Sequence, residues 1–428
     1  MTSSALSTGD LAAARDAVLS LCPVGADLDE DGSLRIGGIP VDELASTYGT
    51  PAYVVDEDAL LAQAGRFRTA LTAAWPRSRV VFASKAFPCT AGYRTLSAAG
   101  LAIEVSGGGE LAAALAGGVT PADIVMQGNA KTDEELELAL DAGVGTIVVD
   151  NFDDIDRLER RVVDTQRVLL RVIPGVRGET HDAMSTGQAG SKFGLAAADA
   201  ERAIAMLRTS DRLYLAGVHM HIGSQICATE PFVAAVEALS RFGEFDTYDL
   251  GGGLGARYTY ADAPPGVEDW VSALVAAARR CLPAEAEILI EPGRRLVARS
   301  GVTLYRVVSV KGHQPTFVAV DGGMGDNLDV SLYGQRFEAT LAHRVGGGEP
   351  VELVGRHCES GDVISHAVPL RDPKVGDIVV VPVTGAYCYT MSNNYNGARR
   401  PPVVFCRGGE ARLVVRRETY EDLLRRDQ

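Results

Sequence analysis

Several residues able to do chemistry stand where apolar runs of this chain end. Lys85 closes the strand-like run VVFASKAFP (80–88). An ammonium beside buried apolar residues is costly to desolvate, and burial drives it towards the neutral, nucleophilic amine that forms Schiff bases. A lysine that leaves a strand and snorkels into water explains the same letters. His219 and His221 of HMHIGSQ lie at i and i+2 on one side of a strand, a spacing open to metal ligation or to plain hydrogen bonding. Gly251, Gly252 and Gly253 allow a close backbone approach to an anion, and equally a simple turn. Glu291 and Arg294 of EPGR supply one carboxylate and one guanidinium, which alone read as a surface ion pair. Together, a Schiff-base amine, a phosphate cradle, a planar histidine and a carboxylate for a protonated ring nitrogen are what pyridoxal phosphate needs.

These groups need a frame. Eight short apolar runs follow one another: RVVFAS (79–84), LAIEVS (101–106), ADIVMQ (122–127), GTIVVD (145–150), RVLLRVI (167–173), YLAGVHMHI (214–222), TYDLGG (247–252) and AEILIEP (286–292). Between them, stretches such as GELAAALAGG and DEELELALDAG have helical spacing and glycine stops. Eight strand–helix repeats predict an α/β fold, a closed (β/α)8 TIM-type barrel, with an open doubly wound sheet as the structural alternative. In such a barrel, catalytic groups sit at the carboxyl ends of the strands, which is where Lys85, Glu104, Ser106, Asn129, His219, His221, the three glycines and Glu291 fall. From about residue 300 the texture changes to short strand-like runs with Gly, Pro and Asp turns, predicting a C-terminal all-β domain. The expected division is an N-terminal segment (1–45) packing with the β domain, a barrel (46–300) and the β domain (301–428).

Composition narrows the function classes. The 428 residues are 46% hydrophobic and 23% charged, enough for a large core divided between two domains. A net charge of −15 disfavours nucleic acid or an anionic membrane as the main partner. Seven cysteines without a C-x-x-C pair suit a reducing compartment, and the start MTSSALSTGD lacks a basic, apolar leader, so a cytoplasmic location is expected.

From YGTPAYVVDEDAL (48–60) to VVRRETYEDLL (414–424), the chain resembles the alanine-racemase-like, fold type III pyridoxal phosphate decarboxylases, and within them the diaminopimelate decarboxylase family. The motifs that carry the resemblance occur in order: SKAF, EVSGGGEL, STGQAGSKFGL, HMHIGSQI, DLGGGLG, EPGR, DGGM, HCESGD and GAYCYTMSNNYN. The resemblance implies that Lys85 holds the cofactor as a Schiff base, that His221 stacks on its ring and that Glu291 pairs with the ring nitrogen. It also implies that Ser224, Gly252, Gly253, Gly293, Arg294 and Tyr387 bind cofactor or substrate. Cys358 would donate a proton in the other subunit's site, with Glu359 at the distal end of the substrate. A homodimer with shared sites follows, with Lys192 and Asp362 as an intersubunit ion pair.

One stretch departs from the family. Its members carry R-P-x-L-Y after DGGM, the arginine gripping the distal carboxylate; here DGGMGDNLDVSLYG has Asp329 and Val330, with Tyr333 kept. Aspartate there would repel a carboxylate; alternatively the loop is shifted and Arg336 or Arg356 substitutes. Glu104 for the usual aspartate, and Asn393 with Asn394 for a serine-led pair, are smaller departures. The expectation is a decarboxylase whose substrate lacks a free distal carboxylate: a diamino acid, or an amino acid held as an amide or on a carrier protein in specialised metabolism such as antibiotic biosynthesis. The alternative is decarboxylation of meso-diaminopimelate to L-lysine. From other classes come a non-catalytic regulatory homologue and a metal-dependent hydrolase using His219 and His221, while an amino-acid racemase fits the cysteine and GAY motifs less well.

Overall fold

The computed structural model describes residues 8–176, 187, 190–312 and 314–428, so most of the STGQAG stretch (185–190) lies outside the described residues. Among them no helix is long and apolar enough to cross a membrane. The described residues fold into two compact units, one within 61–255 and 263–296, the other within 8–60, 256–262 and 297–428.

The first unit is a closed barrel of eight parallel strands: β1 (Ser78–Ala83), β2 (Ala102–Val105), β3 (Ile124–Met126), β4 (Thr146–Val149), β5 (Gln166–Arg171), β6 (Leu213–His219), β7 (Thr247–Asp249) and β8 (Glu287–Ile290). Each coincides with one of the eight apolar runs. Helices alternate with the strands, and their local signals are clear: Thr132 and Glu135 form a capping box ahead of Asp133–Ala142, and Gly143 ends it in the left-handed region at φ 73°.

Strand alternation explains how the barrel carries a polar site above an apolar floor. Val81, Ala102, Val125, Val148, Leu169, Ala216 and Leu289, from all strands but the seventh, form one buried cluster. Complete burial of such valines and leucines stabilises the barrel by roughly 1.5–3 kcal/mol each. Two residues further along five of these strands come Glu104, Gln127, Asp150, Arg171 and Glu291, all buried. A period of two keeps i and i+2 on the same face, so the apolar layer dictates where the polar layer points.

The second unit is built on a nine-stranded sheet. Gly301–Lys311 pairs antiparallel with Thr316–Val320, Ile378–Pro382 and Ala52–Asp56, and Ala52–Asp56 pairs parallel with Val403–Arg407. The expectation that residues from 46 onward open the barrel is therefore corrected for 52–56, and residues 256–262 likewise belong to this unit. The reason is visible in AYVVD: all five residues are buried, as in a strand flanked on both sides, and both neighbours come from the distant C-terminal part. Val18, Leu34, Ile36 and Leu44 of the N-terminal segment share one core cluster with Val54, Leu304 and Val380.

Asp326 lies fully buried in this unit, accepting hydrogen bonds from the Tyr305 hydroxyl (2.8 Å) and the Gly323 amide (3.1 Å). Burial pushes its carboxyl up to about 7, against the opposing hydrogen bonds. The unfolded chain gives up this proton near pH 4 and the folded chain near 7, so the contribution of Asp326 to stability falls as pH climbs through that window and is constant above it. Asp326→Asn is expected to reduce the loss of stability between pH 5 and pH 8, by up to the order of 3 kcal/mol. Urea midpoints of both proteins at the two pH values check this; parallel shifts would refute it.

Candidate active site

Lys85 lies in the single turn Ser84–Ala86 that leaves β1, and its Nζ sits 3.1 Å from Glu104 Oε2 of β2. The side chain is 40% exposed, so the desolvation expected from the sequence is replaced here by a carboxylate partner. Ser106 Oγ donates to the other Glu104 oxygen at 2.6 Å, which fixes the plane of that carboxylate.

Opposite ends of the polar layer meet at Glu291, the residue after β8. His219 Nε2 stands 3.1 Å from Glu291 Oε2 and 3.3 Å from the Gln127 amide nitrogen, and that amide also donates a short hydrogen bond to Glu291 Oε1. Burial raises the Glu291 carboxyl, but the adjacent His219 and the Lys85 cation outweigh it and bring it down to about 2. Its neighbour Asp249, at the end of β7, is held well above the ordinary carboxylate range by burial and by the Glu291 charge. The two neighbouring carboxyls are thus pushed in opposite directions, Glu291 down and Asp249 up. His219, Asp249 and Glu291 place one ligand atom each within 4.8 Å of one another, a set that sequence spacing does not disclose. It differs from the His219–His221 pair considered for a metal, and two of its members are already hydrogen bonded together.

His221, two residues past β6, is held neutral: burial and the Lys85 and Arg171 cations push its ring well below the ordinary histidine value. Its Nδ1 faces the Gly252 amide at 3.3 Å; that N–H donates, so the ring proton resides on Nε2. Arg171, on the last residue of β5 beside His219, is buried, with its guanidinium 3.9 Å from Asp150 and over the Phe193 ring at 4.6 Å. Two glycines are required by close packing. A Cβ on Gly252 would lie 1.9 Å from the Glu291 carbonyl oxygen; Gly253, at φ 115°, would bring one within 2.3 Å of the Gly223 oxygen. Arg294 follows Gly293 after β8, and its Nε donates to Ser224 Oγ at 3.2 Å.

The barrel therefore brings together Lys85, His221, Ser224, Gly252, Gly253, Glu291, Gly293 and Arg294. Gln127, Asp150, Arg171 and Asp249 join them, although sequence motifs did not single these four out. Gln127, Asp150 and Arg171 each stand two residues beyond a member of the buried apolar cluster, whereas Asp249 is placed level with Leu289 only by strand pairing.

The remaining expected residues belong to the second unit. Cys358 and Glu359 are exposed, and the Cys358 amide donates to Asn396 Oδ1 at 2.9 Å. Asp362 is buried and accepts from the Met324 (2.6 Å) and His357 (2.7 Å) amides, while the Lys192 ammonium, in the barrel unit, lies 5.0 Å over the Phe193 ring. Tyr387 is half-buried with φ 68°, a left-handed backbone that a tyrosine adopts only when its surroundings impose it. Asp329 opens the short helix Asp329–Tyr333 and is buried; Arg336 and Arg356 are exposed.

An amine, a neutral imidazole, an ionised carboxylate and glycine-edged backbone at the carboxyl end of one (β/α)8 barrel define a barrel enzyme with a site fitted to pyridoxal phosphate. The profile of the pyridoxal binding domain of pyridoxal-dependent decarboxylases matches residues 58–298. The chain is 44% identical to a diaminopimelate decarboxylase of Actinosynnema pretiosum subsp. auranticum over 95% of both lengths, and 43% identical to that of Bacillus subtilis over 93% of this chain and 96% of the other. The crystal structure of a diaminopimelate decarboxylase from M. jannaschii with L-lysine superposes with a TM-score of 0.88 at 30% identity, covering 94% of this chain and 97% of that one. The chain belongs to the diaminopimelate decarboxylase-like family of fold type III pyridoxal phosphate decarboxylases, and is an amino-acid carboxy-lyase.

Proposed function

We propose that this enzyme decarboxylates meso-diaminopimelate to L-lysine, as a cytoplasmic homodimer with shared sites. The observation that carries it is the 44% identity, over 95% of both chains, to a diaminopimelate decarboxylase. A divergent substrate has less support than the sequence analysis gave it, since relatives at 36–44% identity bear that name. None of the seven cysteines is in a disulfide, in keeping with a reducing compartment.

Bound pyridoxal phosphate supplies the electron sink that takes up the pair released with carbon dioxide. Lys85 would hold it covalently, and while its amine is free Glu104 orients the ammonium. Glu291, ionised at any working pH, holds a proton on the ring nitrogen, and the neutral His221 packs against the ring without adding charge. Backbone at Gly252, Gly253 and Gly293, with Ser224 and Arg294, orients the phosphate. Tyr387 would meet the cofactor, Glu359 and Tyr333 the distal part of the substrate, and Cys358, reaching the other subunit's site, would return a proton to the carbon that lost carbon dioxide. Cys358→Ala is expected to lower kcat about 10²-fold or more with cofactor absorbance unchanged, which stopped-flow and steady-state rates measure; unchanged turnover would assign the proton to another group.

Carbon dioxide release from meso-diaminopimelate, beside L-lysine, L-ornithine and amide- or thioester-linked amino acids, tests the substrate. Efficient release from diaminopimelate alone is expected. Asp329 favours a second reading, in which the substrate has no free distal carboxylate and its amine is drawn to Asp329 and Glu359; release only from amine-ended or linked substrates would establish it.

A further inference from the structure

The second unit contains a cavity of about 100 Å³ that none of the steps above uses, lined among others by Thr50, Asp321, Asp326, Arg356, Arg399 and Arg417. A single water needs only about 10–15 Å³ by the same measure, so this space has room for a larger group.

Its charges are unevenly matched. Asp321 already accepts from Thr50 Oγ1 (2.6 Å) and the Arg306 amide (2.8 Å), and Asp326 from Tyr305 and Gly323. Among the described residues none of the three arginines has a carboxylate partner. Arg417 donates to the Pro51 carbonyl at 2.8 Å, and the Arg399 guanidinium lies over the Tyr420 ring at 4.7 Å. Burial and the like charge of Arg399 both pull the Arg417 guanidinium below its ordinary value, opposed by Asp321 and Asp326. Three guanidinium groups face two carboxylates here, of which Asp326 is pushed up to about 7, and an anion between them offsets the remaining positive charge.

The walls are also rigid. A Cβ on Gly322 would lie 2.3 Å from Tyr305 Cε1 and one on Gly323 2.4 Å from Asp362 Oδ1, so the 321–326 loop is clamped from both sides. The buried Asp362 ties that loop to the His357 segment through two backbone amides. A preorganised cavity edged by planar guanidinium forks suits an oxyanion, which accepts several charge-assisted hydrogen bonds at once.

We propose that this cavity binds a small oxyanion, a phosphate or a carboxylate, held by Arg356, Arg399 and Arg417. The test uses the full chain with its cofactor fixed by borohydride reduction, so that an added anion does not report through the cofactor's own phosphate site. At pH 6, where Asp326 keeps its proton, sulfate and acetate are titrated separately at constant ionic strength against chloride, with thermal unfolding and calorimetry as readouts. Saturable binding of either anion is expected, the preferred one telling tetrahedral from planar ligands. The double variant Arg399→Gln/Arg417→Gln should weaken it at least about tenfold. Arg356→Gln, at an exposed position, gives a second measurement should the double variant fold poorly. No saturable response in the wild type, or an equal response in all variants, overturns the proposal. So does a variant effect confined to dimer dissociation, which would assign the arginines to carboxylates of a second copy.

Discussion

Lys85→Ala is expected to cut carbon dioxide release by about 10³-fold or more and to abolish trapping of the cofactor by borohydride. Two independent functions converge on this one amine. In the proposed reading it would hold the cofactor covalently and would release it to the substrate's own amine. The geometry around it supports that dual use: the side chain is 40% exposed, hence accessible, and Glu104 Oε2 lies 3.1 Å from Nζ to steady the cation. Glu104 is itself locked by Ser106, so the amine is presented in one direction rather than many. Lys85→Arg is the control for packing, because it keeps the charge opposite Glu104 but lacks a nucleophilic amine. Alanine and arginine variants that both fold, with unchanged thermal midpoints, and both lose borohydride trapping would assign the loss to chemistry. An alanine variant that still traps the cofactor would remove Lys85 from the covalent role.

Much of the barrel was legible because its signal is local. Each strand run contains its own apolar stretch and its own polar ending, and GELAAALAGG or DEELELALDAG announce helices by spacing alone. The strand 52–56 was not legible: AYVVD reads the same whether it opens a barrel or enters a sheet, and its partners at Gly301–Lys311 and Val403–Arg407 lie hundreds of residues away. Site residues divide in the same manner. Lys85, His221 and Glu291 stand in motifs distinctive enough to read directly. Arg171, Asp249 and Gln127 do not, because a buried arginine or an aspartate pushed above its ordinary range is defined by neighbours from other strands, and only barrel closure brings Asp249 beside Glu291. Asp329 shows the opposite limit. Its charge was plain in the sequence and suggested an altered substrate, yet its burial at the start of Asp329–Tyr333 is a property of the fold.

Glu291→Gln should lower kcat by about 10²–10³-fold while leaving the side-chain volume nearly unchanged. Glutamine keeps one carbonyl oxygen for Gln127 or His219 but has no charge with which to hold a proton on the ring nitrogen. The wild-type carboxyl, brought down to about 2, stays ionised at any pH where the enzyme works, so no lowering of pH within that range mimics the variant. The sign of the stability effect follows from the same depression. In the unfolded chain this carboxyl titrates near its ordinary value of 4.5; its contribution to folding is complete above that and is lost as pH falls towards about 2. The variant should therefore lack part of the acid limb of the stability profile, and its Asp249, freed of a charged neighbour, should titrate closer to its ordinary value. Cofactor absorbance across pH separates the two roles. A shifted spectrum with intact cofactor binding is the outcome expected of a lost ring-nitrogen partner. A normal spectrum and normal rate, with only the acid limb changed, would reduce Glu291 to a structural carboxylate paired with His219.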